Sequence, residues 1–237
     1  MGELRERVAA TVSRSARLIR RLRVPKSFTH RMTRVLLIRH GETPWNRDRR
    51  WQGHADVPLN TAGVAQAARL AAHLKNELAP VAAVYSSDLR RASDTARTLA
   101  QALAAELVVD PAWREIEVGR WTGLSRDEIK ERFADEWTRI AEGEDLPRGG
   151  GETFAAFSQR IVAALDVLCG RHADQTVAVV THGGAIRAAL LHVLGLPWSR
   201  LREISAIGNT ALSELLWDGV SWTVGRRNCA PHLEVPA

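Results

Sequence analysis

The sequence predicts an α/β fold, a three-layer α/β/α sandwich built on a mostly parallel, doubly wound sheet with an antiparallel hairpin at one edge. Three short and continuously apolar runs occupy residues 35–38, 81–85 and 177–180. Runs of this kind are typical of strands buried on both faces. Helical segments separate them, and strand–helix alternation favours parallel strands with helices on both faces. Two alternating runs, 211–216 and 221–226, enclose Asp218-Gly219 and indicate the edge hairpin.

Local signals place the other elements in order along the chain. Thr61 is the expected N-cap of an Ala-rich helix, and Pro80 lies beyond the end of that helix. Ser and Asp residues cap the next helix, and residues 107–109 form a short strand-like run. Gly195 and Pro197 end the last helix. The predicted helices cover residues 61–78, 88–103, 126–140, 152–169 and 185–194.

Length and composition indicate an ordinary globular protein. The 237 residues are 45% apolar and 25% charged, which is enough for a sizeable core in one domain. No apolar run approaches the roughly 18 residues of a membrane-spanning helix, so an integral membrane protein is not expected. Cys169 and Cys229 form no C-x-x-C pair and no disulfide framework. A reducing, cytoplasmic location is therefore predicted.

The net charge of +6 is concentrated at the amino terminus. Residues 1–31 contain eight Arg, one Lys and two Glu, a net of +7, so the remaining chain carries −1. The remaining chain is therefore not expected to bind nucleic acid. The extension at 1–31 is predicted to be disordered or partly helical, ahead of Met32. An amphipathic helix on an anionic surface, or a transit segment, is the alternative. Residues 32–237 are predicted to form the single folded domain.

Chemically active side chains follow each of the three predicted buried strands. RHGET (39–43) follows the first, SSDLRR (86–91) the second and THGG (181–184) the third. Ligands of open α/β sheets bind outside the carboxyl ends of the strands. Two histidines with arginines, hydroxyls and glycines at one edge predict a site for an anion, most simply a phosphoryl group.

These residue types suit phosphoryl transfer. An imidazole nitrogen can attack phosphorus and form a phosphohistidine, which divides one displacement into two easier ones. Arginine binds phosphate through two parallel hydrogen bonds and stays charged. The leaving oxygen needs a proton from a carboxylic acid, which contributes on the order of 10²–10⁴-fold to the rate.

The run LIRHGETPWN (37–46) resembles the signature of the histidine phosphatase superfamily, also called phosphoglycerate-mutase-like. The segments at 87–96, 114–124 and 181–184 resemble its other three motifs, in the same order. A lone Arg-His-Gly tripeptide would be weak evidence for the family, but four motifs in the same order are specific evidence for it. The resemblance runs from about residue 34 to 223 and implies a doubly wound α/β sandwich, in agreement with the strand and helix pattern.

The resemblance also implies a role for each matching position. His40 would be the phosphorylated nucleophile, and Glu115 would protonate the leaving group and then activate water. The groups around the phosphoryl oxygens would be Arg39, Arg91 and His182, with Asn46 as an accessory contact and Gln52 and Gly53 in the loop beside the substrate. The resemblance implies neither a metal nor an organic cofactor.

Some neighbouring residues compete for these roles. The motif favours Arg91 over Arg90, which is expected to be a solvated helix charge, and Glu115 over Glu117. His54 lies near the Gln52–Gly53 loop and is expected to have no role in the site. Asn209 is a weaker candidate, for the far wall of the site. The candidates to line the entrance of the site are Trp45, Trp51 and Trp121.

Three functions fit these motifs, and hydrolysis is favoured. Only 67 positions separate Glu115 from His182, whereas mutases of the superfamily typically carry a longer insertion. Residues 121–150 hold five basic and eight acidic side chains, a net charge of −3. A segment of this charge lying over the site would repel a bisphosphate intermediate. The alternatives are a cofactor-dependent phosphoglycerate mutase and a non-catalytic phosphate-binding module. The latter would be expected to lose His40 or Glu115.

The expected partner is a small-molecule phosphate ester, with no nucleic acid and no integral membrane association. The motifs at 86–96 and 114–124, with Gly208-Asn209, resemble the actinobacterial branch that includes glucosyl-3-phosphoglycerate phosphatase. A sugar-acid phosphate is therefore ranked first, and broad specificity follows closely because other branches share similar motifs. The sequence leaves a homodimer open.

Overall fold

Six strands form one sheet in the computed structural model, which describes residues 32–77 and 80–234. In chain order they are β1 (Thr33–Arg39), β2 (Ala83–Ser86), β3 (Glu106–Val109), β4 (Thr176–Thr181), β5 (Leu212–Trp217) and β6 (Trp222–Val224). Their order across the sheet is β3-β2-β4-β1-β5-β6. The pairs β3–β2, β2–β4 and β4–β1 are parallel, whereas β1–β5 and β5–β6 are antiparallel. The predicted mixed sheet with an antiparallel edge hairpin is confirmed.

Helices pack on both faces of this sheet. They are α1 (Pro44–Arg47), α2 (Thr61–Glu77), α3 (Arg90–Leu103), α4 (Arg126–Arg132), α5 (Ala134–Glu142), α6 (Phe154–Arg171) and α7 (Gly183–Val193). Leu36 and Ile38 of β1 belong to the core formed with α2 and α3. Val35 and Leu37, on the opposite face, belong to the core formed with α6 and α7. Because β1 is buried on both sides, each of these side chains contributes about 1.5–3 kcal/mol to folding.

The predicted helices differ from those observed in two ways: one is divided into two, and three begin two residues away from the predicted position, at 90, 154 and 183 rather than 88, 152 and 185. The segment predicted as one helix over 126–140 is two helices, because the backbone of Phe133 leaves helical geometry (φ −132°, ψ 45°). Its ring packs against the core, and the Arg120 guanidinium lies 5.1 Å from the ring centre. The helix predicted from residue 88 begins at Arg90, since the Asp88 carboxylate is committed to Arg114 through bonds of 2.5 and 2.7 Å.

The described residues all belong to one compact unit. The basic extension predicted at 1–31 lies outside them, so its conformation stays a prediction. In the part of the chain that the structure describes, no helix has the length and hydropathy to cross a bilayer.

Candidate active site

The two histidines of the predicted site meet where β1 and β4 end. Arg39 pairs in register with Thr181 across these parallel strands. The His40 amide donates to the Thr181 carbonyl oxygen at 2.9 Å. As a result, the rings of His40 and His182 lie 5.2 Å apart, centre to centre. The expectation that the strand ends bring these residues together is met by the structure.

His40 is held as a neutral imidazole with one nitrogen free. The residue is 3% exposed, and its Nδ1 lies 2.7 Å from the Gly41 carbonyl oxygen, to which it must donate. Nε2 therefore carries the lone pair. Burial, followed by the charges of Arg39 and Arg91, lowers the pKa of His40 well below its usual value. The free nitrogen is thus unprotonated at neutral pH.

Arg91 fixes the second histidine. It is fully buried, and its Nε donates to Nδ1 of His182 at 3.2 Å. Its other nitrogens donate to the carbonyl oxygens of Ala55 (2.6 Å) and Gly53 (2.8 Å). Burial lowers the pKa of Arg91 to about 10, which leaves it charged at neutral pH. Because His182 accepts at Nδ1, its proton is on Nε2.

Two donors at this edge are buried without a hydrogen-bond partner in the described part of the chain. One is Nε2 of His182, whose pKa is lowered by burial and by the charge of Arg91. The other is Nε of Arg39, whose Nη1 already donates to the Ile207 carbonyl oxygen at 2.6 Å. Burying an N–H without a partner costs about 1–3 kcal/mol. A bound anion would satisfy both donors.

Glu115 is clamped by backbone amides. Its Oε1 accepts from the Ile116 amide and its Oε2 from the Gly184 amide, both at 2.9 Å. A Cβ at position 184 would lie 2.1 Å from Oε1, so the carboxylate occupies space that only glycine leaves open. Arg160 of α6 holds the same loop by donating to the carbonyl oxygens of Arg114 (3.0 Å) and Glu115 (3.3 Å).

Asn46 and Asn209 brace the loop after β1. Asn46 forms a capping box with Thr43 at the start of α1. Asn209 donates to Asn46 Oδ1 at 3.1 Å and to the His40 carbonyl oxygen at 3.0 Å. Since Oδ1 of Asn46 accepts these bonds, its NH₂ group is the one available to the pocket that Asn46 lines. The weaker sequence candidate, Asn209, thus supports both His40 and Asn46.

The Gln52–Gly53 loop lies where the sequence predicted it. Gln52 is buried and lines the pocket, and its Oε1 has no partner among the described residues. Gly53 has a φ of +46°, and a Cβ there would lie 2.7 Å from Val118. Gly53 therefore acts through its backbone, as the acceptor for Arg91. Arg90 is exposed, and its backbone amide donates to the Asp56 carboxylate. Both observations agree with the choice of Arg91.

A pocket of about 520 Å³ opens over these groups. Its polar wall includes Arg39, His40, Arg91 and Glu115. Trp45 and Trp51 line it as predicted, whereas Trp121 is buried and lines a neighbouring cavity instead. Within residues 32–77 and 80–234, no group of three or more His, Cys, Asp or Glu side chains is placed to hold a metal ion.

Comparison with known proteins identifies the family of this chain. Residues 35–230 match the profile of the histidine phosphatase superfamily (branch 1). The chain belongs to this superfamily. Among curated relatives, Phosphoglycerate mutase-like protein 4 of Arabidopsis thaliana is 37% identical over 84% of this chain and 86% of its own length. The metal-independent phosphoserine phosphatase of the same plant is 39% identical, over 68% and 69%.

Solved structures of superfamily members share the fold. Phosphoserine phosphatase of Entamoeba histolytica, in complex with phosphoserine, superposes with a TM-score of 0.77 at 27% identity, over 85% of this chain and all of that chain. Mycobacterial glucosyl-3-phosphoglycerate phosphatase, solved with VO3, gives 0.72 at 29% identity, over 82% and 98%. The names of these relatives and structures include both phosphatases and a mutase-like protein.

Sequence reasoning missed several residues of this superfamily member's site. Arg187 and Arg148 line the pocket, and Arg160 holds the Glu115 loop. Arg187 could have been found, because it follows Gly184 by three positions on α7 and so shares its helix face. Arg148 and Arg160 had no comparable signal. His54, treated as a bystander, lies 2.8 Å from the Glu115 carbonyl oxygen and 2.9 Å from the Glu117 carboxylate.

Proposed function

We propose that this protein hydrolyses phosphomonoesters through a phosphohistidine on His40. The observation that carries the proposal is the pair of buried, unpartnered donors, Arg39 Nε and His182 Nε2, beside the unprotonated Nε2 of His40. Such donors fit the oxygens of a phosphoryl group, and their fixed positions stabilise the charge of the transition state.

The first step transfers the phosphoryl group to the enzyme. Nε2 of His40 attacks phosphorus, and the bond from phosphorus to the ester oxygen breaks. The protonated carboxyl of Glu115 gives its proton to that oxygen, so the product leaves as a neutral alcohol. Glu115 is left as a carboxylate, stabilised by the amides of Ile116 and Gly184.

The second step releases phosphate. The Glu115 carboxylate takes a proton from water, whose oxygen attacks phosphorus while the bond to His40 breaks. His40 returns to its neutral form and Glu115 to its protonated form. Summed over both steps, one ester and one water give one alcohol and one inorganic phosphate. No metal ion or organic cofactor takes part in this scheme.

The remaining predicted residues bind the substrate. Arg39, Arg91 and His182 surround the equatorial oxygens, and the NH₂ group of Asn46 adds a further donor. Gln52 lines the pocket beside them, while Gly53 contributes by holding Arg91. Arg91 thus serves the loop and the phosphoryl group together.

For the substrate we propose a small phosphorylated metabolite, with a sugar-acid phosphate such as glucosyl-3-phosphoglycerate ranked first. The structural similarity to mycobacterial glucosyl-3-phosphoglycerate phosphatase supports this choice. Similarity to phosphoserine phosphatases supports a smaller acid of the same type.

A mutase is the second candidate, and the names of several relatives, which include probable phosphoglycerate mutases of Yersinia, favour it. The sequence analysis used the net negative charge of residues 121–150 as an argument against a mutase. The structure removes that argument. Of that segment, Arg148 lines the pocket, while Glu128 is paired with Arg50 at 2.9 Å. Asp145 is likewise paired with Arg148, at 3.4 Å. The acidic count therefore does not describe the pocket wall.

A phosphate-release screen over many phosphomonoesters, run beside a mutase assay on 2- and 3-phosphoglycerate, tests the proposal. We expect phosphate release that His40→Ala abolishes. The control is His192→Ala, an exposed histidine of α7 outside this pocket, which should keep full activity. Interconversion of the phosphoglycerates faster than phosphate release would establish the mutase instead. Turnover by His40→Ala would contradict the covalent scheme.

A further inference from the structure

Arg187 is a pocket residue that the proposed reaction does not use. It lies on α7, one turn after Gly184, and its side chain lines the pocket. One guanidinium nitrogen donates to the Leu201 carbonyl oxygen, whereas Nε is buried without a partner among the described residues. Arg187 is half-buried, and leaving its buried Nε without a partner is costly unless a ligand completes the bonds.

The wall around Arg187 is largely apolar. Phe154, Phe157, Leu201 and Ala206 line the same pocket. Such a surface excludes water from part of the cavity, and it strengthens any ion pair formed with Arg187. Burial also lowers the pKa of Arg187, in agreement with a desolvated position.

Apart from Arg39 and Arg91, which the proposed reaction uses, the other cations of the pocket already have counter-charges or face solvent. Arg148 is paired with Asp145 and Arg50 with Glu128, while Arg49 is exposed. Glu115 is the acid whose charge acts on Arg187. Glu115 is held instead by the amides of Ile116 and Gly184, so among the described residues Arg187 forms no ion pair and keeps one unmatched positive charge.

We propose that Arg187 binds a carboxylate of the substrate and makes the enzyme selective for phosphorylated acids over phosphorylated alcohols. One unmatched charge fits a carboxylate better than a second phosphoryl group, which carries nearly two. The planar guanidinium also matches the two oxygens of a carboxylate. The inference rests on the proposed function, because it takes His40 as the place where the phosphoryl group binds.

Matched ligands test this assignment. 3-Phosphoglycerate and glycerol 3-phosphate differ chiefly in the carboxylate, as do phosphoserine and phosphoethanolamine. In the wild type, kcat/KM should be higher for the acid of each pair. Arg187→Gln should lower it about 10- to 100-fold for the acids, through KM, and by less than about threefold for the alcohols. Arg187→Lys should lose less, since it keeps the charge.

The control is Arg202→Gln, an exposed arginine that does not line this pocket and should preserve the preference. An equal loss for acids and alcohols in Arg187→Gln would overturn the proposal, because it would show that Arg187 acts through Glu115 or through folding. An unchanged preference would overturn it too. Thermal unfolding of each variant identifies any general loss of structure.

Calorimetric binding to His40→Ala separates this inference from the proposed function. That variant cannot turn over by the proposed route, so the four ligands can be compared at equilibrium. Tighter binding of the acids, lost when Arg187→Gln is added, supports the carboxylate site even if the wild type releases no phosphate. Equal binding of acids and alcohols would overturn it even if the wild type is an active phosphatase.

Discussion

Gly184→Ala should disable the proposed acid while leaving the phosphoryl site in place. The added Cβ would lie 2.1 Å from Oε1 of Glu115 and 3.0 Å from its carboxyl carbon. A carboxylate at the end of a flexible side chain can move aside, so the fold should survive. The Gly184 amide, which now donates to Oε2 at 2.9 Å, would lose its partner.

The size of the effect follows from the role of Glu115. General acid catalysis contributes about 10²–10⁴-fold, equivalent to about 3–5 kcal/mol of barrier. We therefore expect kcat/KM for an alkyl phosphate to fall by that factor. For p-nitrophenyl phosphate, whose leaving group departs without a proton, kcat/KM should change only a few-fold. Because water activation is also impaired, stopped-flow records should show a nitrophenolate burst equal to the enzyme concentration.

Gly183→Ala is the matched control for this experiment. At position 183 a Cβ would meet Arg39 Nε at 3.6 Å, which is an ordinary contact. This variant should keep both activities within a few-fold. Equal losses for the alkyl and aryl esters in Gly184→Ala would refute the reasoning, as would full alkyl activity in a correctly folded variant.

Further expectations concern Arg91, the histidines and the chain terminus. Arg91→Lys should lose about 1–3 kcal/mol of unfolding free energy in urea and at least about 10²-fold in kcat/KM, because one ammonium cannot reach three acceptors; wild-type values would contradict this role. Burial lowers the pKa values of His40 and His182 well below 6.5, so the NMR titration midpoint of each ring should lie well below pH 6.5, and a midpoint near 6.5 would contradict this. Protons then bind preferentially to the unfolded chain, and the unfolding free energy should fall as pH drops below about 6.5. Chelator, and removal of residues 1–31, should leave kcat and KM unchanged; a large change in either assay would reveal a metal or a contribution of the extension.

Sequence patterns were sufficient where function depends on strand ends. A parallel sheet places residues that follow different strands at one edge, so His40 and His182 could be paired without coordinates. Arg91 could be chosen over Arg90 because the motif places its arginine directly before an alanine, here Ala92. The family resemblance supplied Glu115, whose loop has no strand or helix pattern of its own.

Long-range contacts without a local pattern could not be predicted. Arg160 holds the Glu115 loop by bonds to backbone carbonyl oxygens, and such acceptors exist at every residue. The helix break at Phe133 arises from packing of its ring, which overrides a continuous helical pattern. Asn60, rather than the expected Thr61, accepts the bond that caps α2, from the Gly63 amide at 2.8 Å, and neighbouring polar residues are hard to rank from sequence.

The parallel pairing of β1 with β4 has a consequence for biosynthesis. Its two strands are separated by most of the chain, and the register that aligns Arg39 with Thr181 forms only after β4 has been made. A ribosome-bound chain that ends before residue 176 therefore contains the nucleophile but not its partner histidine. Phosphoryl chemistry should appear only once the sheet closes around β4, so the newly synthesised protein should stay inert toward phosphate esters until residue 181 of its 237 has emerged.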